Sequence, residues 1–212
     1  MKEYQKIEAP FYRDARTKRV HYGIFNNPTV KYLKDIEWVW TEKIDGTNIR
    51  IHWDGHKVEI GGRTDNAQIP THLYEKLSNY FCGEANEELF EQTFGEKEVI
   101  LFGEGYGAKI QNGGNYITSG VDFILFDVMI NGVYLEQNSI IDIAVNFGID
   151  IVPIILIGTI DDAVEYVKHH PKSTIGAAYM EGLVGRPKFE LYDRRGKRII
   201  VKVKWNDVKD FD

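Results

Sequence analysis

The sequence predicts an α+β fold of antiparallel-rich β-sheets with flanking helices. Three observations carry this reading. Strand-like runs with period-two alternation recur along the chain. Asp54-Gly55 and Asn131-Gly132 are hairpin turn signals joining neighbouring runs. Amphipathic helical segments fall between groups of strands instead of after each one. With 212 residues, 43% of them hydrophobic, the chain can bury an ample core, and we read residues 1–212 as a single domain.

In chain order, IEWVWTEK reads as a strand running into Lys43. TNIRIHW and HKVEIGG form a hairpin about a two-residue Asp54-Gly55 turn. Ile49, Ile51 and Trp53 would face inward, and Asn48, Arg50 and His52 outward. PTHLYEKLSNYF and EANEELFEQTF are amphipathic helices punctuated by Gly83. KEVILFGE is a strand ending in the loop GYGAKIQNGGNY. VDFILFDVMI is apolar enough for a central strand, and Asn131-Gly132 turns it into VYLEQ. NSIIDIAVNFG is a capped helix closed by Gly148. IVPIILIG is a strand, and DDAVEYVKHH a helix stopped at Pro171 with His169-His170 at its frayed end. KFELY and KRIIVKVKW form a last hairpin about DRRG.

A net charge of −6 gives no global attraction to nucleic acid, so such a partner must meet a local basic surface. Residues 186–204 supply one, with eight Lys or Arg against Glu190 and Asp193. A single cysteine, Cys82, excludes an internal disulfide and fits a reducing cytosol. The N-terminus has no apolar signal core and no run reaches membrane length, so the expected location is cytoplasmic. A P-loop signature is absent, and Gly103, Gly105 and Gly107 lack the spacing of a dinucleotide fingerprint.

The most informative run is KIDGTN, opened by Lys43. A lysine amine can attack the α-phosphorus of a nucleotide, expel pyrophosphate and store the nucleotide as a phosphoramidate. It must be held in line and partly neutral to do so. In RIIVKVKW, Val201, Val203 and Trp205 point one way and Lys202 and Lys204 the other. Two ammonium groups on one strand face favour an anion beside them, such as a triphosphate, although a solvated edge strand shows the same pattern. Glu181 of EGLVG suits a divalent metal or a ribose hydroxyl, and Glu104 ends a strand at a Gly-rich loop. Phe123 offers a ring for a purine, and Arg63 of GGRTD a guanidinium for a phosphate.

The order KIDGTN, GRT, FGE, DFILFDV, EGLVG, VKVK resembles the motif succession of the covalent nucleotidyltransferase superfamily of ligases and capping enzymes. TEKIDGTN, DFILFDV and FGEGYGAKIQNGGNY are similar to ATP-dependent RNA ligases, especially small ones, many carried by bacteriophages. The resemblance implies a nucleotidyltransferase fold, an ATP-grasp-like ligase adenylation domain, here without an OB domain. It implies RNA repair chemistry: enzyme adenylylation, transfer of AMP to a 5′-phosphate, and attack by a 3′-hydroxyl. Its cofactors would be ATP and Mg2+ or Mn2+.

On this chain, Lys43 would be adenylylated, Asp45 and Gly46 would shape its loop, and Asn48 would touch the nucleotide or RNA end. Arg63 would orient ribose or phosphate, Glu104 would bind the ribose hydroxyls, and Phe123 would stack on adenine. Glu181 would help hold the metal, Lys202 would contact the α-phosphate, and Lys204 would position the phosphates. The fourth motif runs EGLVGRP where a lysine more usually follows soon after Glu-Gly, so Arg186 and Lys188 would take that part. The sequence stops eight residues after Lys204, which implies a partner protein supplying the missing RNA grip and a preference for nicked or bridged duplexes. A DNA ligase, a GTP-using capping enzyme and a non-catalytic RNA- or nucleotide-binding module are the alternative readings.

Overall fold

The computed structural model describes residues 1–111 and 113–211. Its chain divides into two units, one of Met1–Gln5 and Asp45–Val152, the other from Lys6 to Ile44 and from Pro153 on. The KIDG run straddles this division, with Lys43 in the second unit and Asp45 in the first.

The first unit is a sheet with helices on one face. Strands β4 (Thr47–Trp53), β5 (Val58–Gly61), β6 (Val99–Gly107), β7 (Val121–Ile130) and β8 (Val133–Tyr134) lie in the order β5-β4-β6-β7-β8, with the short β9 (Asp150–Ile151) parallel to β7. Helices α2 (Thr71–Phe81), α3 (Glu84–Phe94) and α4 (Gln137–Phe147) cover the face carrying Ile49, Ile51, Trp53, Leu101, Phe123 and Leu125. A smaller cluster of Ile100, Phe102 and Met129, with Met1, Tyr4 and Phe126 against it, belongs to the opposite face.

The second unit holds a four-stranded sheet, β10 (Ile154–Gly158), β3 (Trp38–Lys43), β11 (Gly182–Pro187) and β12 (Val201–Lys204) in that order. It also holds the hairpin β1 (Phe11–Arg13) and β2 (Val20–Phe25), with helices α1 (Pro28–Tyr32), α5 (Ile160–Lys168) and α6 (Trp205–Val208). Trp38 and Trp40 alternate inward on β3 and join Leu183, Val201, Val203 and the apolar face of α5 in the core. Thr159 caps α5, accepting from the Asp162 amide while Asp162 caps back.

The α+β, antiparallel-rich reading holds, and so do most elements; the exceptions have local causes. The loop between β4 and β5 has four residues, because Trp53 pairs with Val58 and the Asp54 carboxylate accepts from the amides of His56 and Lys57. Arg50 is not on a polar face. It is fully buried, donating to the carbonyls of Gly62 and Met1 and pairing with Asp65 at 2.9 Å. β6 does not end at Glu104 but continues to Gly107. IVPIILIG is two strands split at Pro153, one in each unit. KFELY is not a strand: β12 pairs with β11, and only a Tyr192–Arg198 bridge survives at the DRRG turn. Helix α4 starts at Gln137 with no side-chain cap on Glu136, while Gly148 closes it in the left-handed conformation. His170 is no frayed end, since its ring stacks on Trp205 at 3.8 Å and 8°. No helix among the described residues is long and apolar enough to cross a membrane.

Candidate active site

Strand pairing in the second unit brings three of the predicted residues together. β11 lies between β3 and β12, with Gly182 opposite both Lys43 and Lys204. Glu181, one residue before, places its carboxylate between the two lysines. Oε2 accepts from Lys43 Nζ at 2.7 Å and Oε1 from Lys204 Nζ at 2.6 Å. A side chain at position 182 would strike the Val203 carbonyl, and its φ of +157° is one that residues with a side chain rarely adopt, so both close approach and backbone conformation require glycine here.

Charge in this cluster is unbalanced. Lys43, Lys202 and Lys204 face one Glu181, and among the described residues Lys202 has no ion-pair partner. Burial first, then the like charges of Lys43 and Lys204, hold the Lys202 ammonium below the usual lysine range. Burial works to raise the Glu181 carboxyl, but the Lys43 and Lys204 ammonium groups outweigh it and hold it below the ordinary 4.5. A half-buried excess of positive charge on fixed strands is a preorganised anion site.

One neighbour of Lys43 was not foreseen. Glu42 is 1% exposed, and its Oε2 accepts from the Thr174 amide at 3.0 Å and hydroxyl at 2.6 Å. Its Oε1 is buried with no hydrogen-bond partner among the described residues. The bound loop closes through Ser173 N–H to the Ala178 carbonyl and leads through Met180 to Glu181. Glu42 thus ties the segment before Glu181 to the strand that carries Lys43. The signal was present in the alternation Trp38, Trp40, Glu42, an acid at a core position of β3.

In the first unit, Asn48 stands opposite Glu104 in the β4–β6 register. Asn48 Oδ1 is buried without a hydrogen-bond partner among the described residues, a cost of about 1–3 kcal/mol that a ligand donor would remove. Gly46 is required by close approach, since a Cβ there would lie 2.3 Å from the Gly105 carbonyl and 3.0 Å from Glu104 Cγ. The Asp45 amide donates to the Tyr116 hydroxyl at 3.1 Å, fixing the entry to this turn. Arg63 lies exposed just after β5, with no ion pair among the described residues.

Phe123 is the main correction. It is 2% exposed, belongs to the core under the helices and meets Phe81 edge-to-face at 5.4 Å. That ring has no face to offer a purine. The β6–β7 register shifts between Phe102 and Gly103, which pair with Asp127 and Leu125, and Phe126 is the extra residue. Alternation after Phe123 and Leu125 puts Phe126, partly exposed, with Phe102 in the cluster opposite the helices. Arg186 and Lys188 do not reach the Lys43 end of β3 either. Arg186 is opposite Val39 and pairs with Glu190, and Lys188 pairs with Glu37.

The sequence profile of the RNA ligase family matches residues 36–204, four-fifths of the chain and parts of both units. The chain belongs to the RNA ligase family. A comparison with curated proteins finds no match. Among solved structures this family member is similar to a Naegleria gruberi RNA ligase mutant with ATP and Mn, at 20% identity and a TM-score of 0.63 over 84% of this chain and 52% of that one. The same ligase with PPi gives 21% identity, and a mutant with AMP and Mn gives 19%, both at a TM-score of 0.63 and the same coverage. The likeness shows a shared RNA ligase fold, and the chain spans about half the length of these solved relatives.

A protein-only metal site does not fit these residues. Both Glu181 oxygens are engaged by lysines, and no group of three or more His, Cys, Asp or Glu among the described residues gathers as a metal site.

Proposed function

We propose that this chain is the nucleotidyltransferase domain of an ATP-dependent RNA ligase, both units belonging to that one domain. It would join 5′-phosphate and 3′-hydroxyl RNA ends through lysyl-AMP and an adenylylated 5′ end. The observation that carries this reading is Glu181 held between Lys43 and Lys204, with Lys202 beside them, in a chain of the RNA ligase family. Lys43 is a nucleophile placed among cations that suit a triphosphate.

The chemistry follows from the charges. A triphosphate brings the negative charge that the three lysines lack and competes with Glu181 for Lys43. The Lys43 amine, once it has lost a proton, forms an N–P bond to the α-phosphorus. The P–O bond to pyrophosphate breaks, and the leaving group carries off the electron pair. Lys202 and Lys204 stabilise the charge that builds on the phosphate oxygens. Magnesium or manganese enters as part of the ATP substrate, neutralising phosphate charge, in keeping with the scarcity of protein carboxylates at the cluster. Asn48, with its unsatisfied oxygen, and Glu104 suit the ribose hydroxyls, and Phe126 replaces Phe123 as the ring for adenine.

For the RNA, the DRRG turn presents Arg194, Arg195 and Lys197, while Arg198 is buried against Glu190 and removed from any such surface. This favours nicked or bridged duplexes over free strands, with a partner protein able to add grip. A phage-encoded RNA repair enzyme working in the host cytoplasm fits the reading.

The test is incubation with labelled ATP and magnesium, then with a nicked RNA duplex. The expected result is a label that survives denaturation, is released by acid and passes to the RNA 5′-phosphate. Labelling that persists in Lys43→Ala, or GTP serving as well as ATP, would overturn the assignment.

A further inference from the structure

The β1–β2 hairpin lies outside the region matched by the RNA ligase family, which starts at residue 36. It concentrates positive charge in a chain whose net charge is −6. Residues 13–19 hold Arg13, Arg16, Lys18 and Arg19 against Asp14 alone. Arg13 is committed to structure, paired with Asp207 at 2.6 Å and donating to the Lys18 carbonyl. Arg16, Lys18 and Arg19 are exposed and make no ion pair among the described residues.

The tip is a built turn. The Asp14 carboxylate points back into it and accepts from the amides of Arg16 and Thr17, at 2.9 and 2.6 Å, and from the Thr17 hydroxyl. Hydrogen bonds from Asp14 N–H to the Arg19 carbonyl and from Lys18 N–H to the Asp14 carbonyl, both 2.9 Å, close the loop, with Lys18 at a φ of +60°. Asp14 therefore shapes the turn while three cations stay outward. At the base, Phe11 is 1% exposed and packs on Phe25 at 4.9 Å, so the arms are anchored. The Glu8 carbonyl, three residues before β1, accepts from the Lys202 amide at 3.0 Å, tying the hairpin's lead-in to the strand that carries Lys202. Tyr12, 43% exposed, lies on β1, 5.8 Å from the His21 ring of β2.

We propose that this hairpin is a second RNA-binding element, gripping the phosphodiester backbone with Arg16, Lys18 and Arg19 and offering Tyr12 to a base or sugar. Three outward cations within four residues repel one another, and a polyanion of regular charge spacing relieves that repulsion. An exposed ring on the same hairpin is the combination that suits nucleic acid over an acidic peptide. The proposal deepens the ligase reading and rests on it for the identity of the polyanion.

The test is the triple variant Arg16→Ala, Lys18→Ala, Arg19→Ala, with binding to a 5′-phosphorylated nicked RNA duplex followed across a salt series. RNA affinity should fall about 10- to 100-fold, and the slope of log affinity against log salt should shrink by about 2. Self-adenylylation by ATP and the melting temperature should be unchanged. Arg16→Lys with Arg19→Lys, which keeps the charge, should keep the slope. Unchanged affinity and slope in the triple variant would overturn the proposal. So would lost binding to anionic lipid vesicles or an acidic peptide with RNA binding intact. Failure of wild-type adenylylation would instead sink the ligase reading, and the salt slope would still report on the hairpin.

Discussion

The two units prepare for a ligand in opposite ways. In the unit that carries Lys43, carboxylate and ammonium groups close on one another: Glu181 bridges two lysines, and within this cluster Lys202 has no ion-pair partner among the described residues. In the unit that carries Asn48 and Glu104, a buried amide oxygen stands without a donor among the described residues, on the sheet face opposite the one that α2, α3 and α4 cover. The first arrangement must exchange a partner to act, whereas the second only gains one. Perturbing the lysine cluster should therefore change rates, and perturbing the sheet face should change nucleotide affinity.

The largest expected effect comes from the ring misplaced by parity. Phe123→Ala opens a cavity in the core and should cost about 3–5 kcal/mol by denaturant unfolding. Phe126→Ala should cost far less stability and instead raise the KM for ATP. A large rise in KM from a folded Phe123→Leu protein, with none from Phe126→Leu, would break that assignment.

Next, Lys202→Ala should slow adenylylation about 10²- to 10³-fold in single-turnover labelling, because it removes preorganised charge at the phosphate. Asn48→Ala should act mainly on ATP affinity. Equal effects on rate and affinity from both variants would erase the distinction between the units.

Acid should loosen the lysine unit in a defined sense. The Glu181 carboxyl is held below its ordinary 4.5, so the unfolded chain binds its proton more readily than the folded one. The stability it contributes is present above about pH 4.5 and is lost as pH falls through the depressed value. Lys202 acts at the other end. Its depressed pKa makes stability rise with pH between that value and the ordinary 10.5. Melting temperature against pH should show both slopes, and Glu181→Gln should flatten the acid one while steepening the alkaline one, because it also removes the carboxylate that holds the Lys202 value up.

The smallest effect concerns Glu42. Thr174→Val removes the hydroxyl that donates to its buried carboxylate, leaving the amide donor in place, and should cost about 1–3 kcal/mol. It should also slow adenylylation by loosening the segment before Glu181, and Thr174→Ser should restore most of both. Loss of stability alone would reduce Glu42 to a structural role.

How far these features were legible depends on how local their causes are. β3, β7, α2 and α3 followed from periodicity and turn residues, and the lysine cluster from motif order, because strand register alone sets Lys43, Glu181 and Lys204 side by side. Phe126 was within reach of the sequence, because alternation already sets Phe123 and Phe126 on opposite faces, but nothing in the run itself says which face meets a ligand. Arg50 looked solvated because its partners, Met1, Gly62 and Asp65, reach it through tertiary packing. The β1–β2 hairpin was passed over because its short strands are too irregular to display a period, their register shifting between Phe11 and Arg13.

The central claim is that Lys43 stores a nucleotide, and intact-protein mass spectrometry after incubation with ATP and magnesium tests it most directly. The wild-type chain should gain the mass of one AMP, mapped to Lys43 in the KIDGTN peptide and discharged by pyrophosphate, while Lys43→Ala gains nothing. A wild-type chain that binds ATP without covalent gain, or an adduct on another residue, would contradict the account.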